Sequence, residues 1–186
     1  MSLVLWIAWF KRDNPHVNFV DDNSVFDHIG DVLWYERYQA YLPTGQVKPL
    51  LLWDELGLPH KWAKQTHGAP HPYIGIDIDP NAMTATLPPT AKQKLLKELT
   101  HFCDVPGGHR RRTLKEFQVL AGYVNWAFNV YPLLRPALCN LYAKMSGKKN
   151  PHSGIYVNSR VVADLQWMIK HVETSSGVHF LGATHW

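Results

Sequence analysis

At 186 residues, with 46% hydrophobic and 18% charged side chains, the chain can bury a real core, as one domain or two small ones, and is not disordered overall. Its net charge of +4 and isoelectric point near 9.0 are mildly basic, which permits nucleic-acid binding without demanding it. Leu3 to Phe10 is apolar but far shorter than the roughly 20 residues of a membrane span, and it lacks the basic start and cleavage site of a signal peptide. The expectation is therefore a soluble intracellular protein with no membrane partner.

Leu3 to Lys11 is apolar on nearly every face, so as a helix it should be buried on more than one side; a start inside such a segment reads as truncated. Asn14-Pro15 breaks it, and His16 to Val20 reads as a short strand running through a turn into Asp21-Asp22. Two adjacent carboxylates at a strand end can hold a divalent cation, magnesium above all, since it prefers hard oxygen ligands and needs only one or two carboxylates. Asn23 to Ala40 is rich in aromatic residues whose pattern sorts cleanly with neither a core nor a surface. Tyr41 to Gly45 reads as a turn, and Val47 to Leu56 as a helix closed by Gly57.

Lys61 to Pro72 is polar and basic. Tyr73 to Asp79 alternates as a strand, Pro80-Asn81-Ala82 turns the chain, and Met83 to Leu87 returns as its partner. Asp77 and Asp79 share one face of that strand, which reads as a solvated hairpin face more readily than as a metal site. Pro88-Pro89-Thr90 starts a helix with Leu95, Leu99, Phe102 and Cys103 on one side and Lys92, Lys94 and Lys97 free to face phosphates. Cys103 and Cys139, the two cysteines of the chain, both fall on predicted helices and read as small core residues rather than a disulfide.

Arg110, Arg111 and Arg112 follow a Gly-Gly loop and precede a capping box, Thr113 with Glu116. Basic groups beside a helix N-terminus suit a phosphate backbone. Leu114, Phe117, Ala121, Val124 and Phe128 then make one apolar stripe, while Gln118, Gly122, Asn125 and Trp126 recur on a second face. A glycine inside a helix costs about 1 kcal/mol relative to alanine, so Gly122 implies close approach by another backbone or a ligand. Pro132 ends this helix, and Arg135 to Tyr142 reads as another. Ser146 to Gly154 reads as a linker, Val161 to Val172 as a last amphipathic helix, and Val178 to Leu181 as the opening strand of something larger. The eleven histidines include no set with zinc-ligand spacing.

The pattern Gln118-x-Leu120-x-Gly122-x-x-Asn125-Trp126-Ala127, with Tyr131-Pro132 and Leu138-Cys139 after it, resembles the thumb of retroviral and retrotransposon reverse transcriptases. Phe19-Val20-Asp21-Asp22 resembles the Tyr-x-Asp-Asp box of the same family, and Ile74-Gly75-Ile76 its primer grip. The family places a single helix after its box; the longer aromatic-rich segment here is more similar to fungal retroelement proteins of the DIRS-like type. The resemblance implies an α+β fold, a small antiparallel palm-type sheet plus a helical thumb bundle. It divides the chain into a partial palm (1–88), a thumb (89–147) and a connection (148–186) leading towards a ribonuclease H domain.

By the same resemblance Asp21 and Asp22 are catalytic and bind Mg²⁺, Ile74 and Gly75 position a primer end, and Gln118, Gly122, Asn125 and Trp126 follow the minor groove of a template–primer duplex. Arg110, Arg111 and Arg112 would add phosphate contacts. Two-metal nucleotidyl transfer needs a further carboxylate from an upstream strand. That carboxylate and the nucleotide-binding fingers are not encoded in these residues, so the expectation is an RNA-directed DNA polymerase fragment that grips nucleic acid without catalysing by itself. A domesticated non-catalytic binding module and an unrelated helical protein that binds a partner or ligand stay open.

Overall fold

A computed structural model of the chain describes residues 6–8, 17–19, 22–104 and 110–179. Most of the expected Leu3–Lys11 helix, along with Val20, Asp21, the Gly-Gly loop and the end of the chain, lies outside the described residues. The chain divides between Ile74 and Gly75 into two compact units, 1–74 and 75–186. The class is α+β, as expected. No helix among the described residues is long and apolar enough to cross a membrane.

The first unit is built on two hairpins and a helix. Strands β1 (Val17–Phe19) and β2 (Asp22–Ser24) pair antiparallel with Phe19 opposite Asp22. Strands β3 (Val32–Tyr35) and β4 (Ala40–Pro43) form the second, joined through a 3₁₀ turn at Glu36–Tyr38. The helix implied after the box is therefore absent from residues 23–40. Gly30-Asp31 starts a new element, and the run Val32-Leu33-Trp34-Tyr35 is of the β-branched and aromatic kind that fits a pleated surface. Helix α1 (Thr44–Glu55) follows without a break, its start held by Asp27, whose carboxylate accepts the Gly45 amide at 2.5 Å, and by Asp31, which accepts from the Thr44 hydroxyl at 2.6 Å. Tyr35, Leu42, Val47 and Leu50 form the core of this unit, with Tyr38 and Trp53 packed on it. Strand β5 (His71–Tyr73) ends it.

The second unit opens with β6 (Ile76–Asp79) and β7 (Thr84–Thr86), paired with Asp77 opposite Thr86. The expected hairpin is present, but the expected long strand is interrupted at Ile74 and Gly75, which both take positive φ (48° and 80°). Asp79 closes the β6–β7 turn by accepting the Asn81 and Ala82 amides at 2.9 and 3.1 Å, a turn role rather than a metal role.

Four α-helices follow among the described residues: α2 (Pro89–Cys103), α3 (Leu114–Ala127), α4 (Cys139–Met145) and α5 (Ser159–Thr174). The expected Arg135–Tyr142 helix is instead a 3₁₀ stretch, Pro132–Leu138, that becomes α-helical only at Cys139; Pro136 offers no amide to an α-helical ladder. Leu95, Leu99, Phe102, Phe117, Val124, Leu141, Leu165 and Met168 are buried at the centre, and the Phe102 and Phe117 rings meet edge to face at 4.9 Å. Cys103 is half-buried, its thiol pushed up to about 11 by burial, whereas Cys139 is exposed and not the core residue expected.

Residues 146–158 are tied to α3 rather than loose. Strand β8 (Arg111–Thr113) pairs with β9 (Gly154–Tyr156), and α5 packs on α2 and on the 3₁₀ stretch. Strand β10 (Val178–His179), expected to open a further domain, pairs with β7.

Candidate nucleic-acid interface

Helix α3 sorts its residues as the sequence pattern requires. Leu114, Phe117, Leu120, Ala121, Val124 and Ala127 are buried, while Gln118, Gly122 and Asn125 are exposed and Trp126 is half-buried. A Cβ built on Gly122 meets no atom within 4 Å. No close neighbour among the described residues therefore accounts for a glycine there. On this exposed side it has Gln118 and Asn125 as polar neighbours and Val119, 60% exposed, as an apolar one.

The track ends at Gly75. A Cβ on Gly75 would stand 3.2 Å from Trp126 Cζ2, so the glycine backbone lies directly against the indole. Positive φ and this contact both call for glycine at the position. The Trp126 ring also stacks on Tyr123, with centroids 5.5 Å apart and planes 8° from parallel. Gly75 and Trp126, far apart in sequence, are thus brought to one surface.

The N-terminus of α3 is closed by the protein's own groups. Thr113 Oγ1 accepts the Glu116 amide at 3.2 Å, and Glu116 Oε2 accepts the Thr113 amide at 2.7 Å, completing the capping box. The Leu114 and Lys115 amides donate to the Ser153 and Pro151 carbonyls at 3.0 and 2.9 Å. Burial pushes the Glu116 carboxyl up, but hydrogen bonds from Thr113 and Arg112 outweigh it and hold the group below the usual range. These first-turn amides are spoken for, so phosphate affinity here would have to come from side chains.

The three arginines divide. Arg110 and Arg111 are exposed, Arg111 standing opposite Tyr156 on the β8–β9 ladder. Arg112 turns inward: Nη2 donates to the His101 carbonyl at 2.6 Å and to that of Asp104 at 3.3 Å, and Nη1 to Glu116 Oε1 at 3.2 Å. It ties the end of α2 to the start of α3 and has little left for a ligand. Lys92 is similarly engaged, donating to the Ser175 and Glu173 carbonyls at the end of α5 at 2.9 and 3.3 Å. That placement suits a cation at a helix C-terminus, and Lys92 is not the phosphate contact expected. Lys94 lies over the Tyr123 ring, and Lys97 is exposed.

The candidate metal centre is thinner. Asp22 is exposed at the hairpin, and Asp21 lies outside the described residues. Burial and then the charge of Asp22 push the Tyr73 phenol up. No group of three or more metal-ligating side chains occurs among the described residues.

Sequence reasoning missed a polar cluster in the first unit. Asp54, near the end of α1, accepts hydrogen bonds from the Tyr35 hydroxyl and from Arg37. His60 Nε2 lies 3.0 Å from Asp54 Oδ1, and its Nδ1 lies 2.5 Å from the Tyr38 hydroxyl. The His60 side chain is only 2% exposed. Each of the five groups has a partner, so the cluster reads as a clasp between α1, the 3₁₀ turn and the loop at His60. The only local sign of it would have been the Tyr-x-Arg-Tyr spacing, which is not specific.

The chain matches no known family model and no curated protein, so a functional reading stands on its own residues.

Proposed function

We propose that the second unit is a nucleic-acid duplex grip of the reverse-transcriptase thumb type. Gln118, Gly122 and Asn125 follow a groove, Gly75 and Trp126 form the end of the track, and Arg110 and Arg111 contribute charge. The observation that carries this reading is Gly122, a helix-interior glycine on an exposed face that also carries Gln118 and Asn125, with empty space where a side chain would be. Contacts of this kind read backbone and shape rather than base sequence. The location implied is intracellular, cytoplasmic or nuclear. Mg²⁺ at Asp21 and Asp22 belongs to the reading only where further chain supplies fingers and another carboxylate, and primer extension by this chain with Mg²⁺ is expected to fail.

The test is filter binding of a primer–template duplex across a salt series. Binding that weakens steeply with salt supports the grip; no binding even at low salt would sink it. A second reading, a module that binds a protein partner, is favoured by one observation. The outer face of the β3–β4 hairpin is apolar and open, with Val32 52%, Trp34 42% and Tyr41 68% exposed.

A further inference from the structure

Charge is unevenly divided along the chain. Residues 75–186 carry 13 of the 19 lysines and arginines but 7 of the 15 acidic residues, so the second unit is the basic one. From Phe117 to Ala163 there is no Asp or Glu at all. Part of this excess gathers where β8 meets β9. Arg111 and Tyr156 are direct cross-strand partners, so their side chains leave the ladder on one face, with Cβ atoms about 5 Å apart. That face is the outer one. The intervening pair turns the other way, Ile155 buried and Arg112 tied to α2, whereas Arg111 is exposed and Tyr156 is 51% exposed. The Arg111 stem runs beside Gly154, its Cδ 3.7 Å from where a Cβ would stand.

The loop before β9 adds cations to this edge. The Lys115 amide donates to the Pro151 carbonyl at 2.9 Å, which ties the loop to the first turn of α3. Lys149 lies two residues before Pro151, so its backbone is within about 7 Å of that tie. Lys115, Lys148 and Lys149 are exposed. Among the described residues none of these lysines, nor Arg111, has an ion pair. Glu116, the carboxylate adjacent to Lys115, is engaged by Thr113 and Arg112. Like charges gathered without counter-charges repel one another, and a polyanion relieves that repulsion.

We infer that this edge is a docking surface for single-stranded nucleic acid: Arg111, Lys115, Lys148 and Lys149 take its phosphates, and the Tyr156 ring stacks on a base. An open ring set among cations that track a backbone is the arrangement that holds single strands. The bases of a duplex are stacked on one another and offer Tyr156 no face. An acidic peptide would satisfy the lysines but leave the ring unused. The surface is distinct from the Gln118–Gly122–Asn125 track, and the inference stands without the duplex reading.

Fluorescence anisotropy of a labelled oligothymidylate of about a dozen nucleotides, titrated with the full chain across a salt series, tests this. The wild type is expected to bind at low salt and to release as salt rises. Tyr156→Thr, which suits an exposed strand position without a ring, is expected to weaken binding about tenfold with the salt slope unchanged. Tyr156→Phe keeps the ring and is expected to stay within about twofold of the wild type. Lys115→Ala and Lys149→Ala should each lower the slope of log affinity against log salt by about 0.7. If Tyr156→Thr does not melt cooperatively, Tyr156→Ile gives the same reading. No binding at low salt overturns the inference, as does wild-type affinity in the ring-deleted variant. Polyglutamate of equal length competing as well as unlabelled oligothymidylate also overturns it, since the patch would then hold any polyanion. Oligothymidylate binding without binding of a blunt duplex would sink the grip and leave this surface standing.

Discussion

The backbone of Gly75 rests against the indole of Trp126, with a Cβ position 3.2 Å from Cζ2. At φ +80° an alanine is strained even before it touches the ring. Gly75→Ala should therefore destabilise the second unit by about 1–2 kcal/mol and displace the indole. The expected result is a lower melting temperature together with weaker duplex binding. A variant that melts like the wild type would show that the ring yields freely.

Gly122 should behave in the opposite way. Its site is helical, exposed and empty around the missing Cβ, so Gly122→Ala should stabilise α3 by about 0.5–1 kcal/mol. If a duplex approaches the backbone there, the same methyl group should cost affinity. Higher stability with weaker binding is the signature of a ligand-facing glycine. Higher stability with unchanged binding would remove Gly122 from the interface.

The arginines separate charge from structure. Arg112→Ala removes hydrogen bonds to the His101 and Asp104 carbonyls and to Glu116, so it should cost about 1–3 kcal/mol of stability. Arg110→Ala and Arg111→Ala should leave melting unchanged and each lower the slope of log affinity against log salt by about one. Melting curves and a salt titration of the three variants check this directly. A salt-slope change for Arg112 without loss of stability would reverse the assignment.

What the sequence made legible was local. The Thr113–Glu116 box, the buried and exposed faces of α3, and the β6–β7 hairpin depend on residues within a few positions of one another, where spacing fixes geometry. What it hid was set by distant partners. Lys92 looked available for phosphate, but its partner carbonyl is 83 residues away. Arg112 looked like part of a basic run, yet its guanidinium is drawn to the carbonyls that end α2. The strand expected through Tyr73 to Asp79 breaks because Ile74, an ordinarily strand-forming residue, is held at positive φ beside Gly75. The aromatic segment 23–40 mixed inward and outward residues on short strands, Tyr35 buried and Trp34 exposed, so no single period marked it.

The Asp54 cluster gives a prediction in acid. The Tyr35 hydrogen bond, with those from His60 and Arg37, outweighs burial and holds the Asp54 carboxyl at about 2, below its ordinary 3.8. Burial, and then the hydrogen bond and charge of Asp54, push the Tyr35 phenol well above its usual range. A depressed carboxyl stabilises the folded state fully above the unfolded pKa and loses that contribution as pH falls through the folded one. The first unit should therefore lose this contribution between about pH 4 and pH 2, by less than the shift alone implies because Asp54 and Arg37 are partly open to solvent. Asp54→Asn should cost about 1–3 kcal/mol at neutral pH, since the Tyr35, Arg37 and His60 donors lose their charged acceptor. Comparing acid titrations of the two proteins tests the sign: the stability gap should narrow as pH drops through that window. A constant gap would mean that Asp54 acts through packing and not through its charge.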